Sequence, residues 1–225
     1  MISPYEESEA AKNSHLATMQ VLAMPRDAVN HDNEVKVHVR NVSRPSNIAP
    51  SVREKVHITI RTNVGDLIGA LNDGATIQVE GSAGKYAADG MTAGEVIVNG
   101  DADEGAGSVM CGGILVIKGN AKNRLGQLLK GGTIVVGGNV GHHVASFMIA
   151  GTIVIGGDAG RELGDSMIGG AIYIKGSYDT LGKNLRQAEL TEEDELFLRR
   201  LFSKYQLDLD TNAFKRITPF SSTLV

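Results

Sequence analysis

The amino-acid sequence predicts an all-β fold: a right-handed, single-stranded parallel β-helix of about seven coils, followed by a C-terminal helical cap. Two sets of glycines recur every 19 residues without a slip: Gly81, Gly100, Gly119, Gly138, Gly157 and Gly176, and then Gly94, Gly113, Gly132, Gly151 and Gly170. A fixed period of about 20 residues is typical of a solenoid, whose repeats stack on one another. Right-handed winding is the strong default for parallel crossovers.

Four apolar columns with the same step predict a narrow buried interior. Two of them lie two residues apart, so their side chains share one face of a short strand: Ile58, Ile77, Val96, Leu115, Ile134, Ile153 and Ile172, and Ile60, Val79, Val98, Ile117, Val136, Ile155 and Ile174. The other two come from elsewhere in the coil: Met91, Met110, Leu129, Met148 and Met167, and Ile68, Ala87, Ala106, Leu125, Val144 and Leu163.

The glycines are predicted to form the corners of each coil, where a positive φ or a close backbone approach is needed. Short polar residues follow the first set of glycines and suit turns: Ser82, Asp101, Asn120, Asn139, Asp158 and Ser177. Small residues come next and are expected to point inward: Ala83, Ala102, Ala121, Val140 and Ala159.

An outward column between the two strand columns becomes apolar in the later coils. It begins with Thr59 and Gln78 and continues as the outer stripe, which consists of Ile97, Val116, Val135, Val154 and Tyr173. A continuous apolar surface in water calls for a cover. The cover is either a terminal segment of this chain or a partner subunit, and the sequence leaves both open.

The repeats divide the chain into three predicted parts. Residues 1–55 form an N-terminal cap segment, with a short helix near Glu6–Met24 and a strand over 35–40. Residues 56–182 form the β-helix, and residues 183–225 form a helical tail whose helix begins with a capping-box-like Thr191 and Asp194. The N-terminal segment and the tail helix are expected to cover the ends of the solenoid, because open coil edges invite pairing with other chains.

Composition restricts the class of protein. The 225 residues carry a formal net charge of −4, which gives no basic field for nucleic acid. We find no signal-peptide pattern at the N-terminus and no apolar run of about 20 residues, so neither secretion nor a membrane is expected. The single cysteine, Cys111, cannot form an internal disulfide, which favours a reducing, cytoplasmic location.

No motif predicts a catalytic, cofactor-binding or metal-binding residue. Gly81–Lys85 is followed by Tyr86 and lacks the first glycine of a phosphate-binding loop. His142 and His143 occupy variable polar loop columns, without zinc-ligand spacing nearby. Cys111 has no histidine in its own column, and Asp101, Asp103 and Glu104 are interpreted as solvated charges at one corner.

The repeat block, with units such as GNVGHHVASFMIAGTIVIGGDAGRELGDSMIGGAIYIKG, resembles the GXGXG domain. That domain is the C-terminal β-helix of the glutamate synthase large (alpha) subunit. It also forms a separate structural subunit of formylmethanofuran dehydrogenase and separate subunits of glutamate-synthase-like complexes. The resemblance covers about residues 56–182. Two flanking segments, 63–71 and Phe214–Pro219, look like those of the glutamate synthase branch.

The resemblance implies a non-catalytic scaffold subunit of a glutamate-synthase-like complex that takes part in glutamate formation and ammonia assimilation. Its expected partners are a glutamine amidotransferase subunit and an FMN synthase subunit, with FMN and an iron–sulfur cluster on those partners. One cysteine cannot hold a cluster, so no cofactor is expected on this chain.

The sequence leaves other hypotheses open beside the glutamate-synthase-like scaffold. The alternative is the corresponding structural subunit of a formylmethanofuran dehydrogenase-type complex. A homo-oligomer is a further possibility. An independent β-helix enzyme, such as a polysaccharide lyase or acyltransferase, is disfavoured because no groove of paired charges or histidines is seen.

Overall fold

A computed structural model describes residues 57–220, and their fold is a parallel β-solenoid with one C-terminal α-helix. Seven strands stack in chain order as parallel neighbours. They are β1 (His57–Ile60), β2 (Asp73–Val79), β3 (Ala93–Val98), β4 (Ile114–Ile117), β5 (Thr133–Val136), β6 (Thr152–Ile155) and β7 (Ala171–Ile174). The class of fold predicted from the glycine period is therefore confirmed.

The strand register follows the 19-residue period, with one irregularity between Asp73 and Thr76 where β2 pairs with β3. Ile58 pairs with Ile77 at the first step, and Ile153 pairs with Ile172 at the last. Seven strands are separated by six steps, so the solenoid makes about six turns, not the expected seven. The sequence estimate counted strand positions, whereas the chain leaves the stack of parallel strands after β7 and adds no further parallel strand.

The four apolar columns meet inside the solenoid, as predicted. Their members form one buried cluster, and most have no exposed surface. The sequence did not predict how the Met and Leu column begins. In the first coil this position holds Asn72, whose amide is fully buried and bonds both the N–H and the C=O of Ala75. The buried polar group is thus satisfied within the coil.

The two sets of glycines serve the corners for different physical reasons. In the second set φ is positive, for example +86° at Gly132, where an added Cβ would also lie 2.7 Å from the carbonyl oxygen of Gly113. In the first set φ is not positive. At Gly138 an added Cβ would instead collide with the Asn120 side-chain oxygen, which belongs to the preceding coil.

That side-chain oxygen is one rung of a polar ladder along the corner. Asn120 accepts a hydrogen bond from the backbone N–H of Asn139, whose own side chain accepts one from the N–H of Asp158. The same bond recurs from Asn63 to Ser177. Beside it, the small residues Ala83 to Ala159 are buried and form parallel bridges, as their inward placement predicted.

The tail packs against the solenoid in two places. Strand β9 (Lys215–Pro219) pairs antiparallel with β7, and β8 (Leu185–Ala188) pairs antiparallel with β9. Leu185 and Ile217 join the interior cluster, so this antiparallel pair of strands covers the C-terminal end. Helix α1 (Glu192–Tyr205) does not cover that end, contrary to expectation. It packs on the outer face of the sheet, because its apolar side matches the outer stripe.

The predicted helix near Glu6–Met24 and the predicted strand over 35–40 lie outside the described residues. The same is true of the proposed N-terminal cover of the solenoid.

Candidate functional site

The outer stripe is covered by the tail of this chain and is not free for a partner. Val116, Val135, Val154 and Tyr173 are buried, and Ile97 packs at the margin of the same cluster. The tail contributes Leu198, Leu201, Phe202, Tyr205 and Phe214. This second core is distinct from the interior core, since the sheet separates the two. Of the two alternatives left open by the sequence, the structure shows cover by the chain itself.

A polar network fixes the start of α1 to the sheet. The hydroxyl of Tyr173 donates to Asp194 at 2.5 Å, and Arg216 lies 3.5 Å from the same carboxylate. Asp194 also accepts from the N–H of Thr191, whose side chain accepts from the N–H of Asp194. The predicted capping box is therefore present.

The network shifts the pKa values of its two acidic groups in opposite directions. Burial, reinforced by the neighbouring carboxylate, raises the pKa of Tyr173 far above its usual value. Burial also acts to raise the pKa of Asp194, but the hydrogen bonds from Tyr173 and Thr191 outweigh it, and that pKa is lowered. Asp194 is thus held as a carboxylate in a structural role.

The two adjacent histidines do not converge on a common point. The Nδ1 atom of His142 accepts the backbone N–H of Arg161 at 3.0 Å, while Nδ1 of His143 lies 2.8 Å from Glu162. Asn123 occupies the corresponding corner position one coil earlier. Its side-chain oxygen accepts a hydrogen bond from the backbone N–H of His142. Within residues 57–220, no group of three or more His, Cys, Asp or Glu side chains is arranged to hold a metal ion.

The three acidic side chains at the predicted charged corner all have partners within the solenoid. Asp101 belongs to the polar ladder, Asp103 lies 3.2 Å from Lys122, and Glu104 lies 3.1 Å from Arg124. Hydrogen bonding from the N–H of Glu104, with help from Lys122, lowers the pKa of Asp103. Each carboxylate therefore has its own partner, and the three do not form a catalytic pair.

The glycine-rich Gly81–Lys85 segment cannot serve as a phosphate loop in this conformation. The N–H of Ser82 donates to the Asn63 side chain, and the N–H of Lys85 donates to the Asp66 side chain. Between them, Ala83 and Gly84 donate to backbone carbonyls of neighbouring coils. A phosphate loop needs these donors free.

Cys111, the single cysteine of the sequence, is exposed, and its thiol donates to the carbonyl of Val109. One thiolate does not fit an iron–sulfur cluster, which takes four protein ligands. No reaction step is assigned to such a group on this chain.

An exposed apolar patch is the surface feature that the columns did not single out. Leu128, Phe147, Ile149 and Ile168 lie on three successive coils and are 40%, 48%, 41% and 45% exposed. The signal was present in the sequence, since Leu128 and Phe147 share one column and Ile149 and Ile168 share another. Both columns flank the buried Met column, so alternation along the coil directs them outward.

Within the described part of the chain, α1 is too short and too charged to cross a bilayer, and no other helix qualifies.

The stacked parallel strands and the glycines at the corners define a class of protein, the glycine-cornered parallel β-solenoids. The family model described as "GXGXG motif" matches residues 22–207. The chain therefore belongs to the GXGXG family. No curated protein matches significantly.

A solved structure extends this result. The chain is similar to a chain in the X-ray crystal structure of the formyltransferase/hydrolase complex (FhcABCD) from Methylorubrum extorquens in complex with methylofuran. The TM-score is 0.70 and the identity is 29%, and the match covers 77% of this chain and 68% of that one. The resemblance to the GXGXG family is confirmed, whereas a specific relation to glutamate synthase is not.

Proposed function

We propose that this chain is a non-catalytic structural subunit of a larger complex of the formylmethanofuran dehydrogenase type. The observation that carries the proposal is the match to a chain of the formyltransferase/hydrolase complex over 77% of this chain. The match favours this alternative over the glutamate-synthase-like scaffold that the flanking segments suggested.

The chemistry of the described residues supports a structural role. The polar groups that could have formed a site are used within the solenoid, as the bonds of His142, Asp101 and Lys85 illustrate. A catalytic site needs polar groups that converge on a point where substrate can sit. The reacting groups of such a complex would then lie on other subunits.

A glutamate-synthase-like scaffold remains the second candidate, on the strength of the Phe214–Pro219 segment. The structure gives this segment a packing role, because Phe214 is buried in the outer core and Ile217 in the interior core. Any solenoid closed by this strand needs apolar residues there, so the pattern discriminates weakly between branches. In this candidate an amidotransferase and an FMN synthase subunit would be the partners.

The test is the identity of the partners in the native host. The full chain, tagged at its own locus, is purified under native conditions, and stoichiometric partners are identified by mass spectrometry. We expect subunits related to a formyltransferase and a hydrolase. Recovery of a glutamine amidotransferase with a flavin-containing subunit would establish the second candidate instead. Recovery of the chain alone would refute both.

A further inference from the structure

We infer that the apolar patch of Leu128, Phe147, Ile149 and Ile168 binds a second copy of this chain. The four side chains occupy the two columns on either side of the buried Met column, on three successive coils, and each is at least 40% exposed. Exposed apolar groups arranged in one contiguous patch mark interaction sites far more often than scattered ones do.

The backbone beneath the patch has the conformation of a corner that recurs in every coil. Leu128 and Phe147 have φ values of 57° and 58°, in the left-handed region that bulky side chains avoid. Gly90 takes the same conformation in the same column, at φ 64°. Leu71, Val109 and Ser166 share it at φ 56°, so the left-handed corner belongs to every coil and is not particular to the patch. What distinguishes Leu128 and Phe147 is that large apolar side chains stand on neighbouring coils there and remain 40% and 48% exposed.

The patch is also rigid, which favours binding. The N–H of Leu128 donates to the carbonyl of Ser146 at 2.9 Å, and the N–H of Phe147 donates to that of Asp165 at 2.9 Å. The N–H of Ile149 donates to the carbonyl of Leu129 at 2.8 Å. Neighbouring coils thus hold the backbone of the patch in place before any partner arrives, so little backbone entropy is lost on docking.

The charges at the ends of the patch point to a second copy as the occupant. Lys130 stands one coil before Ile149 in the same column, and Asp165 lies beside Phe147 at the opposite corner. Neither forms an ion pair with any residue in 57–220. A patch with opposite charges at opposite corners can be self-complementary, which a two-fold interface requires.

The pairing follows from this layout. A two-fold axis in the interface, along the diagonal from Leu128 to Ile168, places Phe147 against Ile149 of the second copy. It also places Lys130 of each copy near Asp165 of the other, so the interface contains this charge pair two times. Four side chains cover less than the roughly 800 Å² per partner of a standard interface, so we expect a dimer that dissociates on dilution.

The experiment measures the mass of the purified full chain by sedimentation velocity from about 1 to about 300 µM. We expect a reversible monomer–dimer equilibrium. Phe147→Asn should weaken the dimer at least about tenfold without lowering the melting temperature, because Asn tolerates the left-handed conformation. The matched control is Leu71→Asn, at φ 56° in the same column but four coils away, and it should leave the dimer unchanged.

A charge exchange tests the pairing itself. Lys130→Asp and Asp165→Lys should each weaken the dimer, and the double variant should restore it. A monomer at every concentration, equal effects of Phe147→Asn and Leu71→Asn, or no restoration by the double variant would overturn the proposal. So would a photocrosslinker at position 147 that reacts with residues 1–56 of its own chain, or with a different protein in the native host.

Discussion

Truncation of the Val135 side chain tests how strongly the outer stripe holds the tail. Val135 has no exposed surface and lies between Val116 and Val154 beneath α1. Val135→Ala removes two buried methyl groups, worth about 0.8 kcal/mol each in transfer free energy. The cavity left behind raises the expected loss to about 2–3 kcal/mol. For a chain of this size, that loss lowers the melting temperature by about 4–12 °C.

A charge at the same position separates the tail from the solenoid. Val135→Glu would bury a carboxylate without a partner, which costs several kcal/mol. The chain can avoid this cost by releasing α1, because the interior core does not include Val135. We therefore expect the helix to detach while the stacked strands persist.

Hydrogen exchange followed by mass spectrometry distinguishes the two parts. Peptides over Glu192–Tyr205 should exchange faster in Val135→Glu, while peptides over Thr133–Val136 keep their protection. Gln78→Glu is the matched control, since it lies in the same column three coils earlier and is exposed. Unchanged protection of the helix would refute the claim that the stripe holds the tail. Loss of protection throughout the chain would show that the two cores unfold together.

Three further predictions concern the corners and the polar network. Gly132→Ala should cost about 1–3 kcal/mol in a denaturant titration, because φ is +86° there. Gly138→Ala should cost a similar amount through collision with the Asn120 side chain, and equal stability to the wild type would contradict the close approach. Asp194→Asn should lose about 2 kcal/mol at pH 7. Because the pKa of Asp194 is lowered on folding, its contribution is present above about pH 4 and disappears as the pH falls through the folded value, so the two proteins should converge in acid unfolding curves.

The interior of the solenoid was predictable because the repeat has no insertions between Ile58 and Ile172. With a constant step, each inward column keeps one environment in every coil, so these apolar columns identify buried positions directly. The same logic predicted the inward placement of Ala83 and Ala159, whereas the capping box of α1 was predicted from a local motif, Thr191 with Asp194. These features depend on local pattern and period alone.

The reasons for the glycines were less accessible, because two different constraints select the same residue. A positive φ at Gly132 and a close approach at Gly138 both exclude a side chain, and a sequence column does not tell them apart. The position of the tail could not be predicted from the sequence pattern either. An apolar helix face predicts that α1 is docked, but the end of the solenoid and the outer stripe were both apolar targets.

The covered stripe changes where an assembly can form on this chain. The sheet face from Val116 to Tyr173 is occupied by α1, and the C-terminal end is closed by β8 and β9. Among the described residues, the loop side that carries Phe147 and Ile149 is the surface where rigid apolar groups remain exposed in a cluster. If that surface binds a second copy, the sheet face of each copy stays covered by its own tail helix. Partner subunits of the proposed assembly would then contact surfaces other than the stripe that the sequence suggested.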